Sequence, residues 1–530
     1  MIFTISTSTK TEDNFLFSNE MDKKIIFSLF GNMLVAFAAI FFLPIIYSII
    51  ELQSWRLAIF FLTLGLFTEA AGIFFIRSGK NHKRKLRVAE SATTLILTYP
   101  LLAIFATIPI LISGWLPPVD AFLETISDLT SAGISISSQN SPYIFKLWQS
   151  ELMWFGSLIF LIWLVTLMPE VGGCFGLDLS LHGGQIFSPM FGQMFLMAKK
   201  IGRVYAILTL TSFLLFKLAG LNFWDSVLMS MRCISTGGGN FFAGRGNIFA
   251  EYAAAFSMLM ACGNFLFYYR LINTLPPADR KSDRNIFYRS ADYLKRLREN
   301  IFGNAKHFFR NSEVKATGFI IFFCVAIIFV GNFVQADFAD GNLAFRYAFF
   351  HVVSFLSTTG ITLTSIDEVH DFNQFLIFMT VFFGGCMGSV TGGFKMIRIL
   401  VLQKTLSAEL KKVMHPHMVT NIRVNKISVP NEIVGRILSF FFLAALTVFI
   451  CSAMLSFSGS TFSEGVAISV ACLTSVGNLP GICEPQNFLE LSAAGKIFCM
   501  LILIVGRIEI FALLILLASV KNFYKPKSKW

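Results

Sequence analysis

Four times along this 530-residue chain, a short run of small hydroxyl residues closed by glycine interrupts sequence otherwise apolar enough to cross a bilayer. The runs read FLETISDLTSAGISIS to Ser137, SVLMSMRCISTGGGNFF to Phe242, FFHVVSFLSTTGITLTS to Ser365 and GVAISVACLTSVGNLPG to Gly481. Aligned on Gly133, Gly237, Gly360 and Gly477, they recur at separations of 104, 123 and 117 residues. At membrane depth, irregular backbone is tolerated only where it is packed inside protein or lines a wet cavity. Each run is therefore expected to be a short re-entrant helix and a turn, set between two spans, and the chain an internal fourfold repeat.

The flanking sequence agrees. Hydrophobic residues make up 55% of the chain and charged residues 14%, which excludes an ordinary soluble domain. Apolar stretches of bilayer length fall near 25–50, 56–76, 91–113, 151–169, 204–220, 250–270, 316–334, 371–401, 434–457 and 496–520. The net charge of +12 sits in alternate loops: 77–87, 199–203, 270–315, 404–436 and the final tail. That alternation is an orientation signal, not a nucleic-acid surface, and it places the basic loops and both termini in the cytoplasm. No apolar leader precedes the first span within the polar residues 1–24. The nine cysteines lack CxxC spacing and read as packing residues.

The expected fold is an all-α membrane protein with four parallel span–loop–span repeats around a pseudo-fourfold axis, preceded by two extra helices at 25–77. The repeats run 88–169, 203–270, 316–402 and 434–520, with cytoplasmic loops at 271–315 and 403–433 and a tail at 521–530. Two crossings per repeat return the chain to its starting side, so all four loops enter from the outer face.

Glycine and hydroxyls suit one chemistry in that setting. Rings of backbone carbonyls can replace the hydration shell of a monovalent cation, and glycine accepts the backbone angles that turn successive carbonyls inward. The competing reading is four turns that merely cap re-entrant helices. No nucleophile, base and orienting group converge anywhere in the sequence, so an enzyme is not expected.

With these segments, the chain resembles the membrane subunits of the Trk/Ktr/HKT potassium transporters, and among them the TrkH type. The resemblance extends to MPEVGGCFGLDLS (168–180), MLMACGNFLFYYR (258–270), GGCMGSVTGGFKMIR (384–398), MHPHMV (414–419) and VGRIEIFALLIL (505–516), as well as to the two extra N-terminal spans. It implies K+ uptake through a gated pore in the inner membrane, a homodimer, and a separate cytosolic, nucleotide-binding TrkA-like partner. This chain itself shows no GxGxxG after a strand. The implied filter comprises Thr130, Ser131, Ala132, Gly133 and Ile134; Ser235, Thr236, Gly237 and Gly238; Ser357, Thr358, Thr359, Gly360 and Ile361; and Thr474, Ser475, Val476, Gly477 and Asn478. In related plant transporters a serine in place of the first glycine accompanies Na+ preference, so four glycines favour K+. Ser131 and Ala132 depart from the family's usual threonines. A Na+-permeable or ion-coupled symporter of the same fold is the alternative.

Two further features concern the inner half. Gly384, Gly385, Gly388, Gly392 and Gly393, followed by Lys395, either unwind the span or form a small-residue packing face. The resemblance implies an intramembrane loop that obstructs conduction, with Arg507 beside it, while Arg507 and Glu509 by themselves also read as a buried ion pair. Asp128 and Arg232 each lie five residues before their glycines and read either as a salt bridge between repeats one and two or as two side chains that separately reach the outer mouth. Glu124, Asp225 and Glu464 read either as attractors of cations at the outer mouth or as helix caps.

Overall fold

The computed structural model describes residues 22–79, 86, 88–136, 141–166, 191–239, 242–273, 308, 310–334, 340–363, 371–415, 417–418, 421–425, 427–479, 483, 485–510 and 513. The segment 168–180, most of the loop 271–315 and the tail 521–530 lie outside the described residues, as do most of the N-terminal residues 1–24.

Helix α1 (Lys23–Ala38) continues through a 3-10 turn (Ala39–Phe41) into α2 (Phe42–Ile50), and α3 (Trp55–Ser78) returns beside α1. A Cβ at Gly31 would lie 2.6 Å from the Ile76 amide nitrogen, so the small residues Gly31 and Gly72 let these backbones touch. Repeat one is α4 (Val88–Ser113), α5 (Pro118–Leu129) and α6 (Tyr143–Thr166). Repeat two is α7 (Phe191–Leu218), α8 (Phe223–Ser235), α9 (Ile248–Cys262) and α10 (Phe265–Asn273). Repeat three is α11 (Ser312–Val334), α12 (Gly341–Leu356), α13 (Asp371–Val381) and α14 (Met396–Met414). A small hairpin, β1 (Arg423–Val424) with β2 (Ile427–Ser428), leads into repeat four: α15 (Asn431–Phe457), α16 (Phe462–Thr474), α17 (Pro485–Leu489) and α18 (Ala493–Ile508).

Among the described residues seven helices are long and apolar enough to cross a membrane. The expected spans 250–270 and 371–401 are not continuous helices, and the last one leaves helical geometry at Glu509, whose φ is +65°. Burial separates two kinds of span. In α6, 83% of the apolar window is enclosed, against 22% in α3, α11 and α15, so α6 is core and the other three form the apolar outer surface. Trp148 of α6 is fully buried with Phe41 at 4.8 Å and Phe37 at 6.3 Å between ring centroids, which docks the N-terminal pair onto repeat one.

The re-entrant helices α5, α8, α12 and α16 start from local signals. Pro118 opens α5, and the Asp340 side chain caps α12 through the Asn342 amide. A capping box of Thr461 and Glu464 starts α16. Glu464 is therefore a cap, one of the two roles expected for it.

Candidate functional site

Each re-entrant helix ends the same way. Ser131, Thr236, Thr358 and Ser475 adopt left-handed backbone angles, with φ of 58, 53, 57 and 55°. Strain of this kind costs about 1–3 kcal/mol per residue and persists only where the surroundings enforce it. The next amide turns back to the helix: Ala132 N–H to Ser127 O, Gly237 N–H to Arg232 O, Thr359 N–H to Ser354 O and Val476 N–H to Ala471 O, at 2.8–3.1 Å.

These bonds correct the register of repeat two. Gly237 occupies the place of Ala132, Thr359 and Val476, so Gly238, not Gly237, corresponds to Gly133, Gly360 and Gly477. Three consecutive glycines, Gly237–Gly239, leave a one-residue ambiguity in the sequence that the backbone bond removes.

In this register the four segments close a ring. A Cβ on Gly133 would lie 2.6 Å from the Gly238 nitrogen, and one on Gly238 would strike the Thr359 carbonyl. A Cβ on Gly360 would sit 2.8 Å from the Val476 carbonyl, and one on Gly477 would strike the Ala132 carbonyl. Each glycine thus abuts the next repeat's backbone, in the order one, two, three, four, one. Any larger residue would need backbone to move. All the expected filter residues lie in these segments and are buried.

Side chains behind the ring differ between repeats. In repeat one the Glu124 carboxylate accepts from the Ile136 amide at 2.8 Å, and in repeat three the His351 ring does the same for Leu363 at 3.4 Å. Glu124 is fully buried, so it lies neither at the mouth nor in a cap. The expected Asp128–Arg232 salt bridge is replaced by other contacts. The Asp128 oxygens hydrogen-bond to nothing among the described residues. Arg232 donates to Ser150 Oγ at 2.8 Å, to the Gly238 carbonyl at 3.2 Å and to Gln149 Oε1 at 3.5 Å. The corrected register explains why: Arg232 matches Ser127, one residue away from Asp128.

Polar clasps join an inner helix to the following repeat's re-entrant helix at three seams. Tyr143 donates to Asp225 at 2.7 Å, Arg346 pairs with Glu251 at 2.8 Å, and Lys496 pairs with Asp120 at 2.5 Å. Asp225 is thereby a seam contact and not a cap.

Beneath the ring, the glycine-rich stretch is unwound. Residues 382–395 between α13 and α14 are non-helical, with positive φ at Gly384, Gly388, Gly393 and Lys395. The Gly392 amide donates to Thr358 Oγ1 at 2.8 Å and the Gly393 amide to the Thr474 carbonyl at 3.2 Å, which sets the loop directly against segments three and four. The Lys395 ammonium is wrapped by its own loop, donating to the carbonyls of Ser389 and Thr391. The loop also docks on the break in repeat two: the Cys386 amide donates to Cys262 O at 2.9 Å and the Phe265 amide to Gly388 O at 3.0 Å. Gly385 packs against the same Cys262 carbonyl.

Arg507 donates to Ser157 Oγ at 3.2 Å and stacks 4.1 Å over Phe160. Ser157 in turn donates to the Ser235 carbonyl at 2.8 Å and hydrogen-bonds Ser131, so Arg507 reaches segments one and two through a single hydroxyl. Glu509 pairs not with Arg507 but with Arg398, at 2.7 Å. Arg398, Ser157 and Gln149 were not singled out from the sequence. An arginine three residues past the glycine loop was the only hint of the first, and the others carry no local signal.

A family model described as TrkH, cation transport protein, matches residues 311–525. The Trk system potassium uptake protein TrkH of Halomonas elongata is 25% identical over 506 residues, covering 94% of this chain and 98% of that protein. The protein of that name from Vibrio parahaemolyticus is 26% identical over 506 residues, covering 89% and 98%. The crystal structure of the potassium transporter TrkH from Vibrio parahaemolyticus superposes with a TM-score of 0.80 at 23% identity, over 95% of this chain and all of that one.

Proposed function

Because this chain belongs to the TrkH type of the Trk/Ktr/HKT superfamily, a family of transporters and not enzymes, we propose that it takes up K+ through a gated pore in the inner membrane. The observation that carries this reading is the closed ring of four glycine segments, each abutting the next through backbone. K+ entering from outside exchanges its water for carbonyl oxygens of the four segments. An inside-negative potential favours entry by about 2.3 kcal/mol per charge per 100 mV.

The loop 382–395 is the gate in this account. Conduction requires it to leave Thr358 and the Thr474 carbonyl, where its Gly392 and Gly393 amides now bind. Lys395 and Arg507 place positive charge beneath the ring and raise a barrier to a cation until the loop moves. A cytosolic TrkA-like nucleotide-binding partner supplies that movement, and the transporter works as a homodimer with both termini cytoplasmic. Expression in a bacterial strain lacking its own K+ uptake systems tests the proposal. Growth on limiting K+ is expected from the wild-type chain and not from Gly360→Ser. Equal growth of the two would contradict it.

A further inference from the structure

The second repeat departs from the other three in the backbone angles of the two residues around one peptide bond. In repeat one the Ile134 amide donates back to Ser127 Oγ at 2.7 Å. The N–H and C=O of a trans peptide point to opposite sides, so the Gly133 carbonyl faces away from Ser127. Arg232 holds the corresponding place in repeat two, and a guanidinium donates hydrogen bonds but accepts none. The peptide between Gly238 and Gly239 has accordingly turned over, and its carbonyl accepts from Arg232 Nη1 at 3.2 Å.

The backbone records the same flip. Gly133, Gly360 and Gly477 have φ of 70, 71 and 75°, whereas in repeat two the positive angle moves one residue on, to Gly239 at 99°. The other repeats have Ile134, Ile361 and Asn478 there, none with positive φ. A Cβ on Gly239 would lie 2.9 Å from Arg232 Nη1. Arginine at 232 and glycine at 239 therefore form a matched pair.

We propose that Arg232 withdraws the Gly238 carbonyl from the ring, so that this layer of the pathway offers a cation three glycine carbonyls instead of four. The inference rests on the filter reading and deepens it: Arg232 is a positioning residue that sets how strictly the layer discriminates K+ from Na+. An ion there keeps water on the side of repeat two.

The test is the Rb+ to Na+ flux ratio in proteoliposomes, together with protection of the detergent-solubilised protein against thermal unfolding by each ion. Arg232→Ser installs the residue of repeats one and three. Gly239→Ala retains the arginine but disfavours the turned-over peptide, through its positive φ and a Cβ 2.9 Å from Arg232 Nη1. Both variants are expected to raise Rb+ preference in the flux ratio and in the thermal protection, by up to about tenfold, the factor that 1.4 kcal/mol produces. An unchanged preference in whichever variant folds, with Gly360→Ser still altering it, would overturn the inference alone. If Gly360→Ser also leaves the preference unchanged, the filter reading falls and the inference with it.

Discussion

The four glycine segments and the helix breaks beneath them solve the same problem of irregular backbone inside a membrane in different ways. Each segment ends its helix with one strained hydroxyl residue and one returning amide, and no charged side chain lies within the ring itself. The breaks share no such plan. Repeat two interrupts its inner helix at Gly263 and Asn264, repeat three unwinds residues 382–395 around a lysine, and repeat four leaves its helix at Glu509. The ring is held by backbone packing to which all four repeats contribute. The inner half is held by side-chain charges that repeat three and repeat four supply almost alone. On the proposed reading, a ring that surrounds an ion keeps one backbone plan with a single departure in repeat two, whereas a gate that moves on one side benefits from unequal parts.

The difference can be attacked first where charge holds the structure. Removing Arg398 leaves Glu509 buried without its partner, so Arg398→Leu is expected to lower stability by about 3–5 kcal/mol. The double variant Arg398→Leu with Glu509→Leu should recover much of that in thermal unfolding, and strictly additive losses would show the pair to be unimportant. In the ring, Gly477→Ala combines a positive φ with a Cβ driven against the Ala132 carbonyl. It should cost about 1–3 kcal/mol of local strain and reduce Rb+ flux at least about tenfold with little change in membrane insertion.

Lys395→Met leaves the Ser389 and Thr391 carbonyls without their donor and loosens the loop. Several-fold more flux in the absence of any partner is expected, and unchanged flux would remove Lys395 from the gate. The smallest effect is reserved for a seam. Tyr143→Phe loses one hydrogen bond to Asp225, expected to cost about 0.5–1.5 kcal/mol in thermal stability without altering ion preference.

The sequence discloses the ring far better than the inner half. Hydroxyl–glycine runs recur at near-regular spacing, and each obeys local rules, so their number, depth and sidedness can be read without coordinates. The exact register cannot, because Gly237–Gly239 offers several equivalent alignments, and the predicted Asp128–Arg232 pairing followed from choosing the wrong one. The breaks depend on partners far apart in the chain. Arg398 meets Glu509 across 111 residues and Arg507 meets Ser157 across 350. No spacing rule links such positions. Composition showed that the stretch 384–393 is weak as a helix but not that it docks on Cys262 and Thr474.

That the ring of glycine segments is the ion path is tested most directly by Rb+ flux into proteoliposomes with Na+ as competitor. Wild-type protein should take up Rb+ against excess Na+, and Gly360→Ser should abolish that preference or the flux. Flux of equal size and equal selectivity in Gly360→Ser would place the ion path elsewhere and contradict the account.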